Sequence, residues 1–190
     1  MSSIELVLAH HDSAEAVGLL DELSDAYADA YGELPGEDTG EKSSAFHNRA
    51  TKALEAPNYS LVTGRVGGEL AGFAFGYSLR RGTSWWDGLQ PEPPEGFTVE
   101  TGARTGVMAE IEVRQAWQGQ GIGRRLHDAF LSHRSEERAT LATNPNADST
   151  HALYNGWGWQ RLGTVPGGPG AYYPEYVLFL RPLPLPHSGR

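Results

Sequence analysis

The spacing of apolar residues along the chain predicts a series of strands and helices. Residues 4 to 9 have the pattern of a first strand. Asp12 and Glu15 then have the spacing of a helix capping box, so we expect a helix to begin there and to end at Pro35-Gly36. Four residues of this helix share one face: Leu20, Leu23, Tyr27 and Tyr31.

A second helix and a hairpin are expected next. Apolar residues recur at helical spacing over residues 43 to 55, which predicts the helix. Residues 59 to 65 and 69 to 79 have the composition of strands and are separated by Gly67-Gly68. A glycine pair accepts the positive backbone angles of a tight turn, so the two strands are expected to pair in an antiparallel hairpin.

Residues 80 to 106 differ from the rest of the chain, because they combine prolines and glycines with Trp85, Trp86 and Phe97. We interpret this segment as a long loop, and loops of this length in a compact domain usually have a function or are disordered. Two roles for the tryptophans stay open. They fold over a bound ligand, or they pin the loop to the body of the protein.

The carboxyl-terminal half returns to regular elements. A helix is expected after a glycine-rich turn, with one face formed by Ile122, Leu126, Ala129, Phe130 and His133. The other predicted elements are a strand at 107 to 113, a strand at 139 to 143, a helix around Tyr154, and strands at 159 to 165 and 176 to 180. This order suits a single domain over residues 1 to 181, followed by a proline-rich tail over 182 to 190 without regular structure.

Composition narrows the classes of function. The 190 residues include no cysteine, which excludes disulfides and a cysteine nucleophile. The first residues lack the apolar run of a signal peptide, and no segment is long enough to span a bilayer. The expectation is therefore a cytoplasmic protein without membrane association.

The net charge of -9 also bears on the partner. Nucleic-acid binding needs clustered Lys and Arg, and this chain has only 15 of them, so we expect no nucleic-acid partner. An acidic surface suits a cationic substrate, and it is equally a common means of staying soluble. Both interpretations stay open.

The run from Gln118 to Gly123, followed by Arg124 and Arg125, is the strongest chemical signal in the sequence. Glycines let a ligand approach the backbone, and a helix that opens after them leaves its first N–H groups unpaired, which suits a pyrophosphate. The spacing excludes a Walker A loop, which needs a lysine, and a dinucleotide-binding loop, which needs a third small residue. A plain connection between strand and helix stays open.

What remains is Gln-x-x-Gly-x-Gly after a strand that ends at Val113. Further along, residues 152 to 159 place Tyr154 on a short helix just before a Gly-aromatic step into the next strand. In this order the two motifs resemble the signatures of the GNAT superfamily of N-acetyltransferases. The resemblance is motif-specific over residues 107 to 165 and topological elsewhere.

The resemblance implies an α/β (α+β) GNAT fold, with a mixed, mostly antiparallel central sheet of six to seven strands, about four flanking helices and a splay at the central strand. It implies acetyl-CoA as co-substrate and direct transfer of the acetyl group to a primary amine of a small molecule or peptide. The donor contacts expected from it are the backbone of Ile111 and Val113, together with Gln118, Gly119, Gln120, Gly121, Ile122, Gly123, Arg124 and, in a shifted loop, Asn146.

The resemblance also implies a catalytic acid, since family members present a tyrosine to the thioester sulfur from the helix that carries Tyr154. A tyrosine that only covers the sheet is the alternative. For the base, Glu110 and Glu112 project from one face of the central strand, and a carboxylate in an enclosed pocket can take an ammonium proton. Glu110 is our first candidate, against a structural or solvent-facing role for both glutamates.

The acceptor site is expected beside the central strand, lined by Glu110 and by four aromatic residues: Tyr27, Tyr31, Trp85 and Trp86. Amino acids, polyamines, aminoglycoside-like compounds and protein N-termini or lysines stay open as acceptors. The seven histidines lack metal-ligand spacing, so we expect no metal. The resemblance implies a homodimer, and the alternative function is a non-catalytic acyl-CoA-binding or sensing module.

Overall fold

The structure, a computed structural model, describes residues 5–32 and 39–185. The chain divides into two compact units. The first unit comprises Met1–Tyr77 and Met108–His133, and the second comprises Ser78–Val107 and Arg134–Arg190. The expectation of a single domain over residues 1 to 181 stays a prediction.

Within the described residues the chain forms seven strands and five α-helices, and the seven strands occur in the order that the sequence pattern predicts. The strands are β1 (Leu6–His11), β2 (Ser60–Val66), β3 (Glu69–Ser78), β4 (Thr105–Val113), β5 (Arg138–Thr143), β6 (Gln160–Pro166) and β7 (Glu175–Pro182). The helices are α1 (Ser13–Val17), α2 (Leu20–Tyr31), α3 (Thr39–Ala53), α4 (Ile122–Ser132) and α5 (Asp148–Gly156), with a short 3-10 helix at Gln115–Trp117.

The strands form one mixed sheet in the order β1-β2-β3-β4-β5-β7-β6. The pairs β1–β2, β2–β3, β5–β7 and β6–β7 are antiparallel. The pair β4–β5 is parallel and joins residues 105–107 to residues 138–140. The expected fold class, a mostly antiparallel sheet of six to seven strands, is confirmed.

The amino-terminal helix is divided where the sequence pattern predicts one continuous helix. The capping box is present, because Asp12 accepts a hydrogen bond from the Glu15 backbone at 2.9 Å and the Glu15 side chain accepts one from the Asp12 backbone at 3.0 Å. Helix α1 then ends at Gly18, a poor helix former, and α2 begins at Leu20. The expectation of one helix was therefore wrong, and the structure has five helices rather than about four.

The hairpin of the first unit forms as predicted. Val66 pairs with Glu69, and Gly67 and Gly68 have φ angles of 57° and 87°, which suit a tight hairpin turn. The core of this unit packs α2 and α3 against the apolar residues of β2 and β3. Its fully buried side chains include Leu23, Phe46, Leu61, Phe73 and Phe75.

The second unit contains the long connection between β3 and β4. This connection has no helix or strand apart from one bridge between Gln90 and Thr164, so the predicted loop is confirmed, although β4 begins already at Thr105. The carboxyl of Glu100 is buried within it and accepts hydrogen bonds from the Trp86 indole at 3.0 Å, the Thr105 hydroxyl at 2.7 Å and the Arg138 guanidinium at 3.2 Å. The loop is therefore held by its own buried polar network.

Three sequence expectations fall partly or wholly outside the described residues. Ile4, which opens the predicted first strand, and the helix end at Pro35-Gly36 lie outside them. The predicted tail begins one residue too early, because β7 includes Pro182, and residues 186–190 lie outside the described part of the chain.

Gly72 lets the backbones of β3 and β4 approach closely at the end of β4. A Cβ atom there would lie 2.6 Å from the Glu112 carbonyl oxygen and 3.2 Å from the Val113 Cα, and neither backbone atom can move aside cheaply. We expect Gly72→Ala to lower the free energy of unfolding by about 1–3 kcal/mol, measured by urea denaturation. Gly156→Ala is the control, because its Cβ would meet open space; equal stability of the two variants would contradict the close approach.

Candidate functional site

The glycine-rich turn between β4 and α4 has the backbone geometry of an open cradle. Gly119 and Gly121 have φ angles of 73° and 80°, a left-handed conformation that side chains other than glycine rarely adopt. A Cβ atom at either position would meet nothing within 4 Å, so the inner side of the turn is open. Gly121 is the N-cap of α4 and supplies no capping side chain, which leaves the first N–H groups of the helix to a ligand.

Helix α4 is fixed by its buried face. Ile122, Leu126 and Phe130 are buried as the pattern predicts. The expectation for His133 was wrong, because His133 is exposed and His127 lies in the core instead. His133 lies just beyond Ser132, the last residue of α4, whereas His127 lies beside Leu126 and widens the buried face.

The side chain of Gln118 holds the cradle in place. Its amide donates hydrogen bonds to the Val113 carbonyl at 2.9 Å and to the Ala30 carbonyl at 3.2 Å. Gln115 binds the same helix end, since its backbone N–H donates to the Asp29 carboxylate at 2.9 Å. The turn is thus tied both to the end of β4 and to the end of α2, a link between distant segments that the sequence pattern does not reveal.

The two arginines after the turn already have partners. The Nε of Arg124 donates to both carboxylate oxygens of Asp128, at 3.0 and 2.8 Å. Arg125 donates a hydrogen bond to the Leu6 carbonyl at 3.2 Å. Because Asp128 compensates the charge of Arg124, the cradle depends chiefly on backbone N–H groups, and a donor contact by Arg124 stays a prediction.

Two carboxylates lie on one face of β4, as predicted, and the structure adds partners for both. The Glu110 carboxylate accepts a hydrogen bond from Arg49 of α3 at 3.1 Å, and its side chain is only 17% exposed. The Glu112 carboxyl is hydrogen-bonded to the Tyr31 hydroxyl. Arg49 also donates to the Tyr27 hydroxyl at 3.4 Å, so the predicted acceptor residues Tyr27 and Tyr31 do contact this acidic pair or its partner.

The pair is electrostatically unequal. Burial raises the pKa of Glu110, while the charge of Arg49 and its hydrogen bond act in the opposite direction. Burial and the negative charge of Glu110 together raise the pKa of Glu112 to about 8. Arg49 therefore favours the charged form of Glu110, whereas Glu112 keeps its proton to a higher pH than an ordinary carboxyl group does.

Sequence analysis missed Arg49 as a member of this site. Glu110 is 61 positions away in the chain, and a lone arginine on a helix usually faces solvent. The one signal in the sequence is that Arg49 lies three residues after the buried Phe46. Residues at this spacing are neighbours on the surface of a helix, here α3.

Tyr154 lies in the second unit, at the end of α5. It is 8% exposed, and its ring packs against Trp157, Trp159 and Phe179 with centroid distances of 6.0 to 6.1 Å. Asn146, in the loop before α5, is exposed, and its backbone N–H donates to the Asn144 side chain at 2.9 Å. The roles of Tyr154 and Asn146 stay predictions.

Trp85 and Trp86 also lie in the second unit. Trp86 is 4% exposed, and its indole N–H is bonded to Glu100, which favours the role of pinning the loop. Trp85 packs edge-on against it, with ring centroids 6.4 Å apart. Contacts of either tryptophan with an acceptor stay predictions.

The described residues were expected to lack a metal site and a membrane span, and the structure bears on both points. No group of three or more His, Asp or Glu side chains there is arranged to hold a metal ion. None of the helices in residues 5–32 and 39–185 is long and apolar enough to cross a membrane.

Comparison with known proteins links these features to a family. Residues 19–159 match the model described as the Acetyltransferase (GNAT) family, a stretch that includes β4, the cradle, α4 and the Tyr154 helix. The N-alpha-acetyltransferase RimI of Mycobacterium tuberculosis (strain ATCC 25618 / H37Rv) is 32% identical over 112 residues. That alignment covers 59% of this chain and 59% of the relative.

Two solved structures share the fold. PH1933 from Pyrococcus horikoshii OT3 superposes with a TM-score of 0.65 at 19% identity, covering 95% of this chain and 100% of that chain. The yncA protein of Salmonella typhimurium, described with its cofactor acetyl-CoA, has a TM-score of 0.55 at 15% identity, covering 98% of each chain. At these identities the likeness concerns the fold alone. Since the family model spans most of the sequence, including both predicted signatures, the chain belongs to the GNAT family of acetyltransferases.

Proposed function

We propose that the protein transfers the acetyl group of acetyl-CoA directly to a primary amine of a small molecule or peptide. The observation that carries the proposal is the open glycine cradle at the start of α4, within the segment that matches the family model. Acetyl-CoA as donor is supported by the yncA structure, which is described with that cofactor.

The donor would be held mainly by main-chain groups. The backbone from Gly119 to Arg124 surrounds the cradle, where the N–H groups of the first helical turn and the positive end of the helix dipole favour a pyrophosphate. The backbone of Ile111 and Val113 would bind the pantetheine arm, and the Val113 N–H would polarise the thioester carbonyl. Gln118 positions this strand end through the Val113 carbonyl, which fixes the two parts of the donor site together.

Two side chains carry out the proton transfers of the proposed reaction. Glu110 takes a proton from the acceptor ammonium, and the neutral amine attacks the thioester carbon. The C–N bond forms, the C–S bond breaks, and the electron pair leaves with sulfur. Tyr154 donates a hydrogen bond or a proton to the departing thiolate, which lowers the barrier for its release. The acceptor amine attacks the thioester directly, so no acyl-enzyme is formed.

The class of acceptor is inferred from the charge of the site and from the name of the mycobacterial relative. A carboxylate flanked by tyrosines suits an ammonium group, because a cation is stabilised both by carboxylate oxygens and by aromatic faces. The mycobacterial relative is named an N-alpha-acetyltransferase, which favours a protein or peptide N-terminus as acceptor. Cytoplasmic placement and a homodimer stay predictions.

Calorimetric titration of the protein with acetyl-CoA tests the donor site. We expect micromolar affinity, about 8 kcal/mol of binding free energy, and no comparable affinity for ATP. Gly121→Val should weaken acetyl-CoA binding at least about tenfold, because it strains a left-handed residue and fills the open side of the cradle.

Gly68→Val is the matched control for this titration. Gly68 has a φ of 87° and open space around its Cβ position, so the substitution imposes similar strain in the β2–β3 hairpin, away from the cradle. Its acetyl-CoA affinity should equal that of the unmodified protein. Absence of acetyl-CoA binding in the unmodified protein would contradict the proposed donor.

Tyr154→Phe tests the acid. Removing the phenol should lower kcat by about tenfold or more while leaving acetyl-CoA affinity unchanged, because the hydroxyl acts on charge that develops only during reaction. Tyr59→Phe is the matched control, since Tyr59 is also 8% exposed and its hydroxyl has no hydrogen-bond partner among the described residues. Equal kcat values for the two variants would remove Tyr154 from the mechanism.

A further inference from the structure

Arg49 lies beside one carboxylate of the pair. Its guanidinium lies 3.1 Å from Glu110 Oε1 and 3.4 Å from the Tyr27 hydroxyl. The same group lies over two aromatic rings, 5.7 Å from the Tyr27 centroid and 5.9 Å from the Phe46 centroid. The Arg49 side chain is 52% exposed, and its charged end contacts Glu110, whose side chain is 17% exposed.

The groups around the pair come from three elements. Facing Glu110 and Glu112 are Tyr27 and Tyr31 from α2, Arg49 from α3 and Tyr77 from β3. Arg49 contacts Glu110 directly, whereas the Tyr31 hydroxyl interacts with Glu112, and Lys42 lies 5.7 Å from the centroid of the Tyr31 ring. Glu110 is therefore the carboxyl group that Arg49 is placed to hold.

We propose that Arg49 is a positioning residue for Glu110, holding the Glu110 carboxylate in place through their contact at 3.1 Å so that it can take a proton from the acceptor ammonium. The inference rests on the proposed function, because it concerns the base of that reaction.

A buried base needs such a partner. Burial disfavours the charged form of a carboxyl group, and a protonated Glu110 cannot accept a proton. Arg49 lowers the pKa of Glu110 against this effect, and the charge it preserves on Glu110 helps to raise the pKa of Glu112 to about 8. Arg49 therefore favours the charged form of Glu110 in a site where burial disfavours it.

The first measurement is independent of catalysis. Side-chain carboxyl groups are labelled with 13C at glutamate, and the pKa of Glu110 is followed by NMR in the ligand-free protein, with Glu110→Gln and Glu112→Gln to assign the signals. Arg49→Gln removes the charge and keeps a donor of similar shape. We expect the Glu110 pKa to rise by about one unit or more in Arg49→Gln and to stay near the original value in Arg49→Lys.

The control is Arg65→Gln. Arg65 forms a two-point ion pair with Glu22 at 2.7 and 2.6 Å in the same unit, so its loss removes a comparable interaction away from the carboxylate pair. The Glu110 titration should be unchanged in this variant. An unchanged Glu110 pKa in Arg49→Gln, or an equal change in Arg65→Gln, would overturn the inference.

The second measurement is the pH dependence of kcat/KM. A higher Glu110 pKa means that Glu110 loses its proton only at higher pH, so the acidic limb of the Arg49→Gln profile should move upward by the same interval as the NMR titration. Rescue of the limb by Arg49→Lys supports the positioning role. A limb that stays in place while the NMR titration moves would overturn that role and leave acetyl transfer intact; absence of turnover in the unmodified protein with every amine would instead refute the proposed function.

Discussion

The hydrogen bonds of the Gln118 amide are the interaction on which the donor site depends. Glycines expose the backbone N–H groups of an anion cradle, but they also make the turn flexible. Contacts from outside the turn must therefore fix its conformation. Gln118 does so by bridging the Val113 carbonyl at the end of β4 and the Ala30 carbonyl at the end of α2. The left-handed Gly119 and Gly121 can then present their backbone to a ligand without a supporting side chain.

The end of β4 also carries Glu110 and Glu112. Helix α2 contacts both this pair of carboxyl groups and the glycine cradle. Tyr27 and Tyr31 lie beside the carboxyl groups, and the last carbonyls of α2 receive the amide of Gln118. The approach of β3 to β4 at Gly72 completes the arrangement, because it fixes the backbone at Glu112 and Val113. Donor cradle and carboxylates are therefore positioned by one short stretch of chain, residues 110–121, and by its contacts within the first unit.

Local signals explain what could be predicted from the sequence. The capping box at Asp12, the hairpin at Gly67-Gly68 and the turn before α4 each depend on residues that are adjacent in the chain, and all three are confirmed. The sequence analysis missed the division of the first helix at Gly18. This glycine has an ordinary helical φ of -72°, and no turn motif in the sequence marks the end of the helix. A helical pattern alone does not determine that His127 rather than His133 is buried in the core.

Long-range pairing explains what could not be predicted. The bond of Arg49 to Glu110 joins α3 to β4, and the network of Trp86, Glu100 and Arg138 joins an irregular loop to β5. In both cases a charged residue is partly or fully buried only because a distant partner compensates it, and no local pattern identifies that partner. The alternation on β4 predicted two carboxylates on one face, but it does not reveal that Arg49 contacts Glu110.

Transfer of a labelled acetyl group from acetyl-CoA to an amine tests the central claim most directly. The protein is incubated with 13C-acetyl-CoA and, in turn, peptides with free N-termini, lysine peptides, polyamines and aminoglycosides, and both CoA thiol and labelled product are measured. The account predicts that one class of amine yields one acetylated product for each thiol released. Thiol release without an acetylated amine, or binding of acetyl-CoA without release for any amine, would contradict it.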